Sequence, residues 1–280
     1  MSTTLLERFR GRLRRTWARE ALLRYRHWGI VEHDVFLACY PKSGSTWVRV
    51  MLARLLTGED QQVSITDQRF IPGVKHRRRA LRLLPNDGQL IKTHEAFRPC
   101  VKRAIYIVRD GRDVAVSYYW QLRRMEGLEI PFEEFLDGFH TGMYDGYGAW
   151  AAHVASWLRS PLNDSGALLL VRYEDVKQDA ASQLRRMVDF LGVAAGDEDI
   201  KTAVELGSFD KMREKEARSD SLVHREKGDR IPVVRKGVVG DWKENFSEAS
   251  HNEFWNRAGD AMTMAGYARD AAVAASLPSR

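Results

Sequence analysis

Three short apolar runs, each followed by a stretch of helical periodicity, constrain this chain more than any other feature it carries. Val35–Tyr40 (VFLACY) stops at Pro41 and leads into a helical pattern over Trp47–Leu56. Ala104–Val108 (AIYIV) precedes a second such pattern from Asp113 to Arg123, and Leu168–Tyr173 (LLLVRY) a third near Ala180–Phe190. Unbroken apolar character, rather than alternation, marks strands buried on both faces. Strands that alternate with helices pack as a parallel sheet with helices on either side. The expected class is α/β, a central parallel sheet flanked by helices. The 280 residues suit one such domain, expected over 31–280. Residues 1–30 are set apart as a basic amphipathic N-terminal helix.

With 44% hydrophobic and 29% charged residues, the chain can bury this core, which excludes an intrinsically disordered protein. No apolar run approaches the roughly 18–20 residues of a membrane-spanning helix. Cys39 and Cys100 alone cannot build a disulfide framework or a Cys-rich zinc site. The N-terminus lacks a secretory apolar stretch, so a reducing cytoplasm is the expected compartment. The net charge of +6 is local: residues 1–28 hold eight arginines against Glu7 and Glu20, and the rest of the chain balances. A basic arm on a neutral domain gives nucleic-acid binding little support, and no nucleic acid is expected as a partner.

In that arm Leu5, Phe9, Leu13, Trp17, Ala21 and Tyr25 form one stripe at helical spacing. Two readings stand: a helix docked on the domain, or one in weak contact with a membrane surface. Two long polar stretches, about 57–90 and about 213–234, are expected to be mobile loops, the second a lid over a bound ligand.

Four segments carry the chemistry. Tyr40–Trp47 (YPKSGSTW) joins the first strand to its helix. Small residues and a glycine let the backbone approach a ligand, and the N–H groups of a helix start beside Lys42 make an anion site. The architecture is P-loop-like, but a Walker A loop needs Lys directly after its last glycine, whereas Lys42 precedes Gly44. A plain strand–helix connection is the alternative. Ile91–His94 (IKTH) reads as the end of a further strand, with Lys92 and His94 on one side of it. Histidine is the side chain suited to proton transfer near neutrality. In Ile107–Trp120 (IVRDGRDVAVSYYW), Arg109 ends a strand where it can grip a phosphate, with Ser117 about two helical turns on. A salt bridge to Asp110 or Asp113 is its other reading. Finally, Arg235, Lys236 and Gly237 open RKGVVGDWKENF, a second compact anion site or else a solvated turn.

Together, in order and at compatible spacing, these segments resemble the PAPS-dependent sulfotransferase family. PAPS is 3′-phosphoadenosine 5′-phosphosulfate, and its desulfated product is PAP. Lys42–Trp47 looks like the family's 5′-phosphosulfate loop, Arg109–Ser117 its 3′-phosphate segment, Lys92 and His94 its KTH motif, and Arg235–Gly237 its RKG motif. Weaker similarity runs through Tyr147–Trp157, Tyr173–Lys177 and Ser208–Met212. What the resemblance implies is a transferase moving a sulfuryl group from PAPS to a hydroxyl or amine of a small-molecule acceptor. Lys42, Ser43, Gly44, Ser45 and Thr46 would hold the 5′ end of the nucleotide. Arg109, Ser117, Arg235, Lys236 and Gly237 would hold the 3′-phosphate, with Trp47, Tyr173 and Phe209 around the adenine. His94 would be the general base, while Lys42 and Lys92 neutralise the leaving group; Ser117 counts among the catalytic residues as well. No metal is expected.

Gly207 departs from the family, where many members carry a threonine that bonds the adenine. The loop Lys75–Arg82 (KHRRRALR), which borders the acceptor pocket in the family, holds five basic side chains. It fits an anionic or large acceptor, or a solvated loop. The family's dimer segment is also altered: in the stretch from Lys243, Ser247, Glu248 and Asn252 replace Thr, Val and Glu. A monomer, or a dimer through another surface, is expected. Two rival functions are a P-loop phosphotransferase using Asp110 as a Walker B carboxylate, and a non-catalytic basic adaptor acting through the arm.

Overall fold

The computed structural model describes residues 17–58, 68–208, 211 and 237–269. Four strands, β1 (Val35–Cys39), β2 (Leu90–Thr93), β3 (Arg103–Val108) and β4 (Leu168–Arg172), form one parallel sheet in the order β2-β1-β3-β4. Helix α1 (Trp17–His27) stands before β1, and α2 (Ser45–Thr57) lies between β1 and β2. Between β3 and β4 come α3 (Gly111–Glu126), α4 (Phe132–Thr141), α5 (Trp150–Leu158) and the short α6 (Pro161–Asp164). Then follow α7 (Tyr173–Gln178), α8 (Ala180–Leu191), α9 (Asp197–Leu206) and α10 (Glu248–Met264).

Because side chains alternate across a strand, every strand feeds two cores. Phe36, Ala38, Ile91, Ala104, Tyr106 and Val108 face the side covered by α3, α4, α5 and α10. Val35, Leu37, Cys39, Leu90, Ile105, Ile107 and Val171 face α2, α8 and α9. This explains the unbroken apolar runs in the sequence. The three expected strands are present, but Tyr40 and Tyr173 lie outside them. Tyr40 opens the loop after β1, and Tyr173 begins α7 directly. The helices after β1 and β3 start two residues earlier than their apolar periodicity, at Ser45 and Gly111, because both turns are short.

Helix α1 docks, though not by the stripe its spacing predicted. Ala21 and Tyr25 are exposed, while Leu23 and His27 are buried. Polar contacts select this face. Arg19 pairs with Glu95 at 2.7 Å, Glu20 accepts a bond from Arg98, and His27 stacks on Phe36 with centroids 6.1 Å apart. Tyr25 instead receives the Arg78 guanidinium 4.7 Å above its ring. The basic loop is likewise not wholly solvated. Arg77 is buried and donates to the carbonyls of Arg26, Trp28 and Gly29, so it satisfies the open end of α1. Two 3-10 turns, Arg77–Arg79 and Pro85–Asp87, and the buried Phe70 and Ile71 give order to 68–90. The stretch at 213–234, and Leu5, Phe9 and Leu13, lie outside the described residues. No described helix is long and apolar enough to cross a membrane.

Candidate active site

The chain leaves β1 toward β2 on one side and returns to β3 on the other, so the connections diverge at the carboxyl ends of β1 and β3. Such a switch point opens a crevice at the sheet's carboxyl edge. The segments picked out in the sequence converge there: the loop after β1, His94 after β2, Arg109 after β3 and Tyr173 after β4.

The loop is held in a costly shape. Lys42 has φ 71° and Gly44 φ 89°, both left-handed, and the Ser43 amide donates to the Tyr40 carbonyl at 3.3 Å. A lysine at positive φ persists only where its surroundings enforce it. At Gly44 a side chain has no room, since a Cβ would lie 2.4 Å from Tyr173 Cδ2. Helix α2 then starts at Ser45 with no side-chain cap, so its first N–H groups point into the crevice with the positive end of the helix dipole. Beside them the Ser43 hydroxyl is buried and has no hydrogen-bond partner among the described residues.

Arg109 ties the other segments to this loop. Its guanidinium donates to the Val238 carbonyl at 2.9 Å and, more weakly, to the Lys42 carbonyl at 3.4 Å. It sits 4.6 Å over the Tyr173 ring and 3.6 Å from Asp113 Oδ2. The ion pair to Asp113 therefore exists, but Asp113 has a second task. It accepts from the amides of Gly240 (2.8 Å) and Trp242 (2.9 Å), which binds the 237–242 turn to α3. Burial pushes the Asp113 carboxyl up. Arg109 Nε remains buried without a partner among the described residues. Tyr173 donates its hydroxyl to the Gly237 carbonyl at 3.3 Å. Asp110 is held by Arg112, whose NH2 lies 2.7 Å from Oδ2 and whose Nε lies 3.0 Å from Oδ1. A carboxylate engaged in this way is poorly placed to serve as a metal-binding Walker B group.

The aromatic wall is partly assembled. Trp47 meets Tyr173 edge-on at 5.9 Å and donates Nε1 to the Gly207 carbonyl at 2.7 Å. A Cβ on Gly207 would lie 2.5 Å from Met51 Cγ, so the space a threonine would need is filled by methionine. Ser117 is half-buried on α3. Phe209, Arg235 and Lys236 lie outside the described residues.

His94 follows β2, beside the end of β1. Its Nδ1 lies 2.9 Å from the Cys39 carbonyl, a contact that requires the proton on Nδ1 and leaves Nε2 with a free lone pair. Burial, helped by the Lys92 charge, holds His94 down to about 3, so the ring is neutral. Burial lowers Lys92 too. The Tyr147 ring flanks His94 edge-on at 5.5 Å. His153 donates Nε2 to the carbonyls of His94 and Glu95, both at 3.1 Å, and accepts the Tyr106 hydroxyl at 3.0 Å. A cavity of about 300 Å³ opens against Lys92, Thr93 and His94, with α1 and the 73–76 loop as its far wall.

The structure thus joins Lys42–Trp47, Arg109, Tyr173 and Gly237 in one cluster, with Lys92 and His94 adjoining it through Cys39. Sequence reading missed Cys39, Tyr147 and His153, the residues that orient or flank His94. Only the weak similarity over 147–157 touched two of them. The residues present fit an anionic nucleotide: within this cluster the Ser43 hydroxyl and Arg109 Nε are buried donors with no partner among the described residues.

Comparison with known proteins agrees. A family model described as "Sulfotransferase domain" matches residues 32–266. Mouse sulfotransferase 1 family member D1 is 28% identical over 254 residues, 81% of this chain and 85% of that protein. Human sulfotransferase 2A1 is 29% identical over 240 residues, 80% and 82% of the two chains. The crystal structure of mouse sulfotransferase SULT7A1 complexed with PAP superposes with a TM-score of 0.64 at 25% identity, covering 87% of this chain and 88% of that one.

Proposed function

The chain belongs to the sulfotransferase family, and from that premise we propose how its residues divide the transfer of a sulfuryl group from PAPS to the hydroxyl of a small-molecule acceptor in the cytoplasm. One observation carries the assignment. His94 gives its Nδ1 proton to the carbonyl of Cys39, the last residue of the strand that feeds the anion loop. That contact orients the imidazole and fixes its tautomer, so the lone pair on Nε2 is available to a hydroxyl entering from the adjoining cavity.

PAPS supplies the sulfuryl group, bonded to a phosphate that accumulates charge as it leaves. The N–H groups of Ser45 and Thr46 and the Ser43 hydroxyl hold the 5′ end, with Lys42 and Lys92 neutralising the leaving oxygen. Arg109 and Gly237, with Ser117, Arg235 and Lys236, hold the 3′-phosphate. Trp47 and Tyr173 offer aromatic faces to the purine, as does Phe209. His94 takes the acceptor's proton. An imidazole held near 3 is a weak base, and an anion bound by the loop opposes that desolvation and raises it toward a useful range.

The experiment is direct transfer of sulfur label from PAPS to a panel of phenols and hydroxylated sugars. Acceptor-dependent labelling with matching release of PAP is expected. Release of PAP that no acceptor accelerates would contradict hydroxyl transfer.

A further inference from the structure

Resting on that reading, the cavity beside His94 identifies the acceptor class. It takes in none of Lys42–Thr46, Arg109, Tyr173 or Gly237, so it is separate from the nucleotide cluster, and Lys92 and His94 are part of its lining. Among the described residues four cations line it: Arg26, Arg49, Lys75 and Lys92. The one carboxylate on its wall among the described residues, Glu95, is already bound to Arg19 at 2.7 Å. Arg49 donates to the Ile71 carbonyl at 3.0 Å, and Lys92 serves the leaving group. Arg26 and Lys75 remain, and neither forms an ion pair among the described residues. Among the described residues the apolar lining is sparse, limited to Leu23, Val74 and Tyr147.

We propose that the acceptor is a hydroxylated small anion, its carboxylate, sulfate or phosphate held by Arg26 and Lys75 while its hydroxyl meets His94. Like charges around a concave wall focus a positive potential into the cavity, and an anion relieves their mutual repulsion. A neutral apolar acceptor finds little surface to bury here and leaves both cations unpaired. Helix α1 thereby becomes part of the active site, since it supplies Arg26 and Leu23.

The test uses charged and neutral partners of nearly equal size: 4-hydroxyphenylacetate against 4-hydroxyphenylacetamide, and glucuronate against glucuronamide. Binding is measured calorimetrically to the PAP-loaded protein, and kcat/KM with PAPS. The charged member of each pair should be favoured about ten- to a hundredfold, the worth of one charge-assisted contact. In the Arg26→Gln, Lys75→Gln double variant that ratio should fall to near one; Lys75→Gln alone, at an exposed position, should lower it without threatening the fold. Equal binding within both pairs would overturn the assignment. So would a preference for the anion that survives the double variant. Preferential binding without turnover of any acceptor would uphold the anion site and count against hydroxyl transfer itself.

Discussion

The His94 imidazole starts from an ordinary value of 6.5 and is lowered to about 3, first by burial and then by the positive charge of Lys92. Lowering a histidine widens the pH range over which it is neutral and able to accept a proton. The acid limb of kcat/KM for PAPS, which reports the free enzyme, should therefore fall well below pH 6.5. A limb at or above 6.5 would mean that another group governs the rate. Gly44 makes a second claim at this scale. Its φ of 89° and the 2.4 Å approach of a Cβ to Tyr173 both oppose any side chain. Gly44→Ala should cost about 2–4 kcal/mol in urea unfolding, from left-handed strain plus overpacking, and should weaken PAP binding. A variant as stable as the parent would show that the ring yields easily. The residues proposed to meet anions and protons (Lys42, Ser43, His94, Arg109) were legible in the sequence because chemistry restricts their types. Cys39 and His153 were not. Cys39 acts through its main-chain carbonyl, which any residue carries. His153 acts through contacts 58 and 59 positions away, to the carbonyls of Glu95 and His94.

Among elements, the turn at 237–242 depends on α3. Asp113 accepts both its amides, and Arg112 stacks 3.8 Å over Trp242. An asparagine can accept with only its one carbonyl oxygen, so Asp113→Asn leaves a buried amide unpaired, at a cost of about 1–3 kcal/mol. It also releases the ion pair on Arg109. PAP affinity should drop while the melting temperature changes only modestly; unchanged affinity would separate this turn from the nucleotide. The strands and the helices behind them were legible because burial on both faces leaves an unbroken apolar signature. The face of α1 was not. Apolar spacing favoured Ala21 and Tyr25, but ion pairs to Glu95 and Arg98 and the His27–Phe36 stack turned the helix to bury Leu23 instead. Polar partners distant in sequence leave no periodic trace in the helix itself.

For the whole molecule, the start of α10 bears on association. Ser247 caps α10, accepting from the Ser250 amide, and Glu248 stands exposed in its first turn, where the helix dipole favours a carboxylate. Burying that charge in a small interface would cost several kcal/mol without a partner. Light scattering at micromolar concentration should report a monomer, or a dimer formed through another surface; a dimer that Glu248→Arg dissociates would contradict this. The proposed reaction uses the sheet's carboxyl edge, with the nucleotide at the loop after β1 and the acceptor at His94 after β2, so the two sites should be separable. His94→Ala tests that separation most directly, by paired measurement of turnover and of PAP affinity. Turnover should fall at least about a hundredfold, as removal of a general base commonly brings, while PAP binds nearly as before. Near-normal turnover, or a loss of PAP affinity that matches the loss of rate, would contradict the account.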